Sequence, residues 1–376
     1  KVELNIVSGD KSAAKTAIQK ARSSSLDYAF PYRVESEIIL KNVLYINPDD
    51  DIALYLLGNL LYDHRPEEAL ALWKKASEIN EDFAMVHRNL AFGAFYHEKI
   101  PCKAIASIKR AISIDQSVPL WFSELSKYYE VSNVDFRENL ELLENNLSVI
   151  KKDISAPKSY VSLLNLNGEY DKAIDFLKNH HFRTWEGGRE TYWSYVDTYT
   201  LKAKELIKSK AYKEAISYLE KALEYPENLE VGKPTHDEKN AMIYYYMGMA
   251  YSEMGEEKQA IKAYQKSAEA ENGPNMTELT FYQAKSKKKL GNNEQSDKIF
   301  KKLIEIGQVL RNKETDNILI AVEEVTSTNN KALSNSYYLE EIGYLGLNEN
   351  NKAQELLKKS LEIYRNHLWA KNMQDF

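Results

Sequence analysis

Apolar residues recur along most of this chain with the three- and four-residue spacing of amphipathic helices, and short polar turns interrupt them. The clearest unit covers residues 244–275, where the pattern predicts one helix, a turn and a second helix. Its regularly spaced small and large positions are Tyr244, Met247, Gly248, Tyr251, Ala260, Tyr264 and Pro274. No segment shows a convincing strand-like alternation. The pattern therefore predicts helical hairpins without a β-sheet.

The same register recurs on both sides of this unit. Residues 47–80 and 87–115 repeat it with slightly different turn lengths, and residues 162–177 and 203–228 repeat it over half to all of a unit. Two weaker copies lie in the C-terminal third, and the irregular residues 315–332 between them fit a helix with a loose turn. The small positions include Gly58, Ala69, Ala91, Ala104, Gly168, Ala173, Ala203, Ala215 and Ala222. Facing helices can approach closely where such small residues meet large ones.

A hairpin of this kind cannot bury its apolar face alone, so its neighbours must stack on it. We therefore predict an all-α fold, a right-handed α-solenoid of helix–turn–helix repeats over residues 35–376. Residues 1–34 are predicted as one more helix and a polar loop. Because the sequence begins at Lys1 without Met, we expect these residues to be the end of an upstream region. A loop at about residues 179–193 is predicted as an insertion between hairpins.

The spacing resembles the tetratricopeptide repeat pattern, W-x2-L-G-x2-Y followed by A-x3-F and P, with Gly248 and Ala260 in its small positions. This resemblance implies that the first helix of each hairpin faces a groove. The residues that it assigns to the groove are Tyr55, Asn59, Tyr62, Arg88, Phe92, Phe95, Tyr96, Tyr245 and Met249. Aromatic rings beside an Arg and an Asn are typical of recognition surfaces. Irregular turns could equally rotate these residues into packing contacts, and the sequence leaves both readings open.

A narrower resemblance concerns residues 26–50, 181–193 and 222–234. They look like marker segments, in this order, of an uncharacterised bacterial tetratricopeptide family. In that family, the repeats follow a β-rich domain of unknown function that is similar to carbohydrate-active proteins. The resemblance implies an upstream domain and a context related to sugars, but no activity.

Residues 179–193, NHHFRTWEGGRETYW, interrupt the helical pattern with a Gly pair among aromatic and charged residues. We predict an ordered loop that caps or enters the concave face. The candidate residues are Phe182 and Trp185 as anchors, Arg183, Glu186 and Arg189 as a polar face, and Trp193 folded back on the loop. Packing at an irregular repeat junction, direct binding of a partner domain or sugar, and catalysis remain as alternatives.

The net charge and the motifs of the sequence limit the classes of function that the chain can have. A formal net charge of -6 argues against nucleic-acid binding, which depends on clustered Lys and Arg. No apolar run approaches the roughly 20 residues of a membrane-spanning helix, so we expect no membrane insertion and a cytoplasmic location. No phosphate-binding loop, nucleophile elbow or His pair with metal-ligand spacing is present. We therefore predict no cofactor, no metal and no catalysis by these residues.

Two functional hypotheses follow. The first is a non-catalytic scaffold whose concave groove recognises a protein or peptide partner. The second is an accessory module of a carbohydrate-processing protein, which would hold a glycan or shape the cleft of an upstream domain. Aromatic faces beside carboxylates and amides favour a glycan, whereas repeat arrays of this kind mostly bind protein.

Overall fold

The computed structural model describes residues 11–26, 29–183, 189–232, 239–271, 277–312 and 328–373. Throughout these ranges the chain is a succession of α-helices joined by short connections, and it contains no β-strand there. The predicted all-α fold of stacked helical hairpins is confirmed. The helices belong to two compact units, residues 1–128 and 129–376. The domain limits predicted from the sequence, 1–34 and 35–376, stay a prediction.

Unit 1 contains two well-formed hairpins preceded by two further helices. Its elements are α1 (Lys11–Arg22), α2 (Val34–Ile46), α3 (Asp51–Leu61), α4 (Pro66–Ile79), α5 (Ala84–Tyr96) and α6 (Pro101–Ile114), followed by α7 (Pro119–Val131), within which the unit ends. Pro66 and Pro101 lie in the first turns of α4 and α6, where the missing N–H leaves no helical bond unmade. The Asp50 carboxylate caps α3 by accepting from the Ala53 N–H at 2.9 Å.

Unit 2 consists of a longer series of hairpins. Its elements are α8 (Phe136–Asn145), α9 (Leu147–Ile150), α10 (Ala156–Asn167), α11 (Tyr170–Asn179), α12 (Glu190–Lys208), α13 (Tyr212–Ala222), α14 (Asn240–Glu253), α15 (Glu257–Ala268), α16 (Leu279–Lys289), α17 (Asn293–Asn312), α18 (Thr328–Gly346), α19 (Asn350–Ile363) and α20 (Leu368–Met373). Most of the irregular stretch 315–332 lies outside the described residues, and the part from residue 328 onward is helical.

The first helices of the hairpins in unit 2 lie side by side. Helix α10 contacts α12, α12 contacts α14, α14 contacts α16, and α16 contacts α18. These helices therefore form one continuous surface, which we call the inner face of unit 2. Helices α11, α13, α15, α17 and α19 complete the hairpins behind it.

Close approach within each hairpin depends on the small positions of the repeat pattern. A Cβ atom on Gly58 would lie 2.3 Å from Nε1 of Trp73 on the facing helix. A Cβ atom on Gly248 would lie 2.6 Å from Cδ1 of Tyr264. Both distances are far below van der Waals contact, so the glycine makes room for the aromatic ring. The sequence pattern thus reports a packing constraint inside one hairpin.

Replacing Ala260 by Leu is expected to lower the stability of the protein by about 1 to 3 kcal/mol. Ala260 is 2% exposed on α15, so a larger side chain must displace its neighbours. Urea denaturation followed by circular dichroism measures the effect. The control is Gln265→Leu on the exposed side of the same helix, which we expect to leave the midpoint nearly unchanged. Equal midpoints for both variants would contradict close packing at Ala260.

Candidate functional site

The aromatic strip of unit 1 consists of Tyr62, Phe92 and Tyr96. Phe92 and Tyr96 are four residues apart on α5 and share one face, and Tyr62 directly follows α3 as its C-cap residue. The ring centroids of Tyr62 and Phe92 are 5.6 Å apart, and those of Phe92 and Tyr96 are 4.4 Å apart. All three side chains are partly exposed. Successive first helices therefore present a connected row of rings.

An ion pair flanks the strip. The Nε of Arg88 donates to both carboxylate oxygens of Glu124, at 3.1 and 3.0 Å, and a second guanidinium nitrogen also donates to Glu124. The guanidinium carbon of Arg88 lies 5.0 Å from the ring centroid of Phe92. Burial disfavours the charge on Arg88, but the bonds to Glu124 outweigh it and raise the pKa of Arg88. The Arg88 guanidinium is thus held in place beside the strip, and Glu124 neutralises its charge.

Polar contacts fix the strip at both ends. The Asn59 side-chain oxygen accepts from Nδ2 of Asn89 at 2.7 Å and from Nε1 of Trp73 at 3.1 Å. The Lys127 ammonium donates to the Tyr96 hydroxyl at 3.0 Å. Burial, assisted by Asp63, raises the pKa of Tyr62 to about 12. The Tyr62 hydroxyl therefore stays protonated at neutral pH and can donate a hydrogen bond.

Two residues of the sequence-based groove set lie beneath the strip. Tyr55 is 5% exposed and packs 5.0 Å from the ring of Phe83, and Phe95 is 1% exposed and stacks 4.3 Å from Tyr128. For these two residues the structure shows packing contacts. They support the strip from below, and a part in binding stays a prediction.

Tyr245 and Met249, the predicted groove residues of unit 2, line two cavities at the inner face. Tyr245 is 4% exposed and borders a cavity of about 130 Å³, together with Tyr246, Phe281, Tyr282, Lys285 and Met373. Met249 borders a cavity of about 420 Å³, together with Tyr170, Leu201, Lys204, Tyr246 and Asn372. Residues of α20 thus contribute to both cavities. The structure brings Tyr245 and Met249 next to a segment far away in the sequence.

That segment, residues 364–373, is here called the closing segment. It follows α19, contains α20, and contacts α10 on the inner face. Ala370 and Met373 are buried, and the ring of His367 packs 4.7 Å from Tyr338 on α18. Burial lowers the pKa of His367 to about 4, so its imidazole is neutral at physiological pH. This segment carries no repeat pattern, so its position on the inner face could not be predicted from the sequence.

The predicted loop at 179–193 is described only in part, since Trp185 and Glu186 lie outside the described residues. Phe182 is 1% exposed, and its N–H donates to the Asn228 carbonyl at 2.8 Å. Arg183 and Arg189 are exposed, and Trp193 on α12 is 38% exposed. Phe182 is thus packed against the hairpins, as expected if the loop packs at an irregular repeat junction. The part of the loop in binding stays a prediction.

In the described ranges, no three His, Cys, Asp or Glu residues are arranged to hold a metal ion. No described helix combines the length and apolar character that crossing a membrane requires. Cys102 is exposed at the start of α6.

The hairpins with a glycine opposite an aromatic residue define a helical-repeat protein. Two family models described as "Tetratricopeptide repeat" match the chain, one over residues 196–229 and the other over residues 243–270. These ranges correspond to the hairpins α12–α13 and α14–α15. These two segments of the chain are therefore tetratricopeptide repeats.

Several solved structures are similar to parts of the chain. MamA is 20% identical, with 47% of this chain and 90% of MamA covered and a TM-score of 0.34. YrrB, titled a TPR protein with an unusual peptide-binding site, is 15% identical, with 61% and 90% covered and a TM-score of 0.33. The Naa15/Naa10 structure bound to HypK-THB is 12% identical, with 87% and 55% covered and a TM-score of 0.44. The repeat assignment rests on the family models and the hairpin packing.

Proposed function

We propose that the chain is a protein-interaction scaffold and that the aromatic strip of unit 1 binds a segment of a partner protein. The observation that carries this proposal is the row of three partly exposed rings on successive first helices. Rings held in place by their neighbours offer contact area at a low cost in side-chain entropy. The buried pair Phe95 and Tyr128 supports the row and keeps it preorganised. Such anchors supply most of the binding energy in protein interfaces.

The chemistry of the strip favours a partner segment with apolar side chains. Glu124 neutralises the charge of Arg88, so this side of the strip does not favour a charged partner. The Tyr62 hydroxyl can donate to a main-chain carbonyl or a polar side chain of the partner. We therefore expect the affinity to change little when the salt concentration is raised from about 0.1 M to about 1 M.

The geometry of the rings favours a peptide over a glycan. A sugar ring stacks best on one flat aromatic face. The planes of Tyr62 and Phe92 are inclined by 63°, and those of Phe92 and Tyr96 by 47°. Inclined rings form pockets between their edges, which suit the side chains of a protein segment. A carbohydrate ligand, the alternative from the sequence, stays a prediction.

Replacing Phe92 by Ala is expected to weaken partner binding at least about tenfold, because the central ring of the strip is lost. Peptides that bind the chain of residues 1–376 are selected from a random library. They are then synthesised, and fluorescence anisotropy measures their affinity for the wild type and the variant. The control is Tyr45→Ala, which removes a ring that is 79% exposed on α2, outside the strip. Arg88→Ala is unsuitable, because it leaves the Glu124 carboxylate without this partner.

Thermal melting of each variant separates binding from packing. Loss of affinity in Phe92→Ala with a melting temperature close to the wild-type value supports the proposal. Unchanged affinity together with a lower melting temperature would show that Phe92 only packs. Failure to select any peptide, or glycan-array binding that depends on Phe92, would also overturn the proposal.

A further inference from the structure

The closing segment is held on the inner face by a tryptophan that makes specific polar contacts. The Trp369 side chain lies beside the Asp197 carboxylate on α12, where its indole N–H favours the charged form of that carboxylate and so opposes the rise in pKa that burial causes. Lys204 lies about two turns further along the same helix, and its ammonium is 5.5 Å from the centroid of the Trp369 ring. A buried acceptor and a cation over the ring together recognise both the edge and the face of an indole.

Further contacts flank this tryptophan. The Asn372 side-chain oxygen accepts from the Tyr170 hydroxyl at 3.2 Å, and its main-chain oxygen accepts from the Lys204 ammonium at 3.1 Å. The Lys371 ammonium donates to the Leu166 carbonyl at 2.8 Å and lies 3.9 Å from the centroid of the Phe136 ring. These partners belong to four different helices of unit 2, so the segment is bound by a surface rather than by one neighbouring helix.

The closing segment differs in structure from a further repeat. Helix α20 has only six residues, far fewer than the roughly 12 to 15 that a helix needs to be even marginally stable alone. It leaves a cavity of about 130 Å³ beside Met373 and another of about 420 Å³ beside Asn372. A longer or larger helix could fill both spaces. These features are expected of a bound ligand that covers part of its site.

We propose that the inner face of unit 2 is a binding surface for a short tryptophan-bearing helix, and that the closing segment occupies it as an intramolecular ligand. The partner that fits this surface carries Trp, then Asn three positions later and a flexible apolar residue four positions later. This is the spacing of Trp369, Asn372 and Met373, which places all three on one side of a helix. Such a partner binds by displacing the closing segment. The proposal concerns unit 2 and is independent of the aromatic strip.

The test uses a fluorescent peptide of residues 362–373 and the chain of residues 1–376. In the wild-type chain, the closing segment competes at a high effective concentration and keeps peptide binding weak. Trp369→Ala weakens the intramolecular ligand while leaving the surface intact, so we expect the peptide to bind at least about tenfold more tightly. A peptide with Phe in place of the Trp lacks the N–H donor, so we expect it to bind the Trp369→Ala variant no more tightly than it binds the wild type. Tyr45→Ala, which removes an exposed ring on α2 outside unit 2, is the control and should bind as the wild type does.

Native-state hydrogen exchange of the wild-type chain gives a second measurement that does not depend on a variant. Displacement requires the amides of residues 368–373 to exchange through a local opening, faster than those of α14. Equal protection of α20 and α14 would overturn the proposal, since the segment would then open only on global unfolding. The proposal would also be overturned if the Trp369→Ala variant folds but binds the peptide no more tightly than the wild type does. Binding of the Phe peptide to this variant as tightly as the Trp peptide would overturn it as well.

Discussion

Replacing Lys239 by Met is expected to destabilise unit 2 by about 3 to 5 kcal/mol, because it leaves a carboxylate in the protein interior without its cation. The Lys239 ammonium pairs with Asp197, and the side chains are only 11% and 13% exposed. Burial raises the pKa of Asp197, and Lys239 opposes that rise. Without Lys239 the folded-state pKa of Asp197 rises further above its unfolded value. The loss of stability should therefore be larger at pH 8 than at pH 5.

The shift of the urea midpoint measures this effect. Lys262→Met, at an exposed position of α15, is the matched control and should change the midpoint little. The double variant Asp197→Asn with Lys239→Met removes both charges, and we expect it to be more stable than Lys239→Met alone. A midpoint for Lys239→Met that equals the control at both pH values would show that solvent, rather than Lys239, compensates Asp197.

Replacing Glu341 by Gln is expected to stabilise the protein at pH 8 by on the order of 3 to 5 kcal/mol. Glu341 is 2% exposed, and its Oε2 atom has no hydrogen-bond partner among the described residues. Burial raises the pKa of Glu341 from 4.5 to about 8. The folded state thus holds this proton more tightly than the unfolded state does. The stability is fully present below about pH 4.5 and is lost as the pH rises towards 8, and Gln removes this loss.

The neighbouring acid provides a graded control. Glu340 is also buried, and burial raises its pKa, but the ion pair with Arg311 at 2.5 Å opposes that rise. Glu340→Gln is therefore expected to stabilise the protein at pH 8 by less than Glu341→Gln does. Thermal melting of both variants at pH 5 and pH 8 tests the difference. A Glu341→Gln variant without any gain at pH 8 would contradict the strongly raised pKa.

The hairpin fold could be predicted because its packing rules act over short distances along the chain. Gly58 and Trp73 belong to one hairpin, so their spacing recurs wherever a hairpin recurs. The face shared by Arg88, Phe92 and Tyr96 also follows from a spacing of four residues on one helix. Local periodicity therefore predicted the repeats and the face that carries the aromatic strip.

The remaining features depend on contacts between distant parts of the sequence. The partner of Arg88, Glu124, is 36 residues away, and no repeat pattern marks it. The contact of Lys371 with Leu166 spans 205 residues. Trp369 occupies a position that resembles no repeat, and its acceptor Asp197 is one of many acidic residues. Periodicity contains no information on such pairs, so the occupied inner face could not be predicted.

The closing segment also alters how unit 2 is expected to unfold. The Tyr364 hydroxyl donates to Glu130 at 2.8 Å, the Arg365 N–H donates to Asn133 at 3.1 Å, and Asn366 Nδ2 donates to the Val134 carbonyl at 3.2 Å. The last helices of the unit are thus fastened to its first residues. A linear repeat array frays from its termini, because a terminal repeat has only one neighbour. In unit 2 the two termini hold each other while the closing segment is bound, so fraying of the terminal hairpins should begin only after this segment has opened locally. The contacts of the segment join residues far apart in the sequence, so they should be among the last to form during folding.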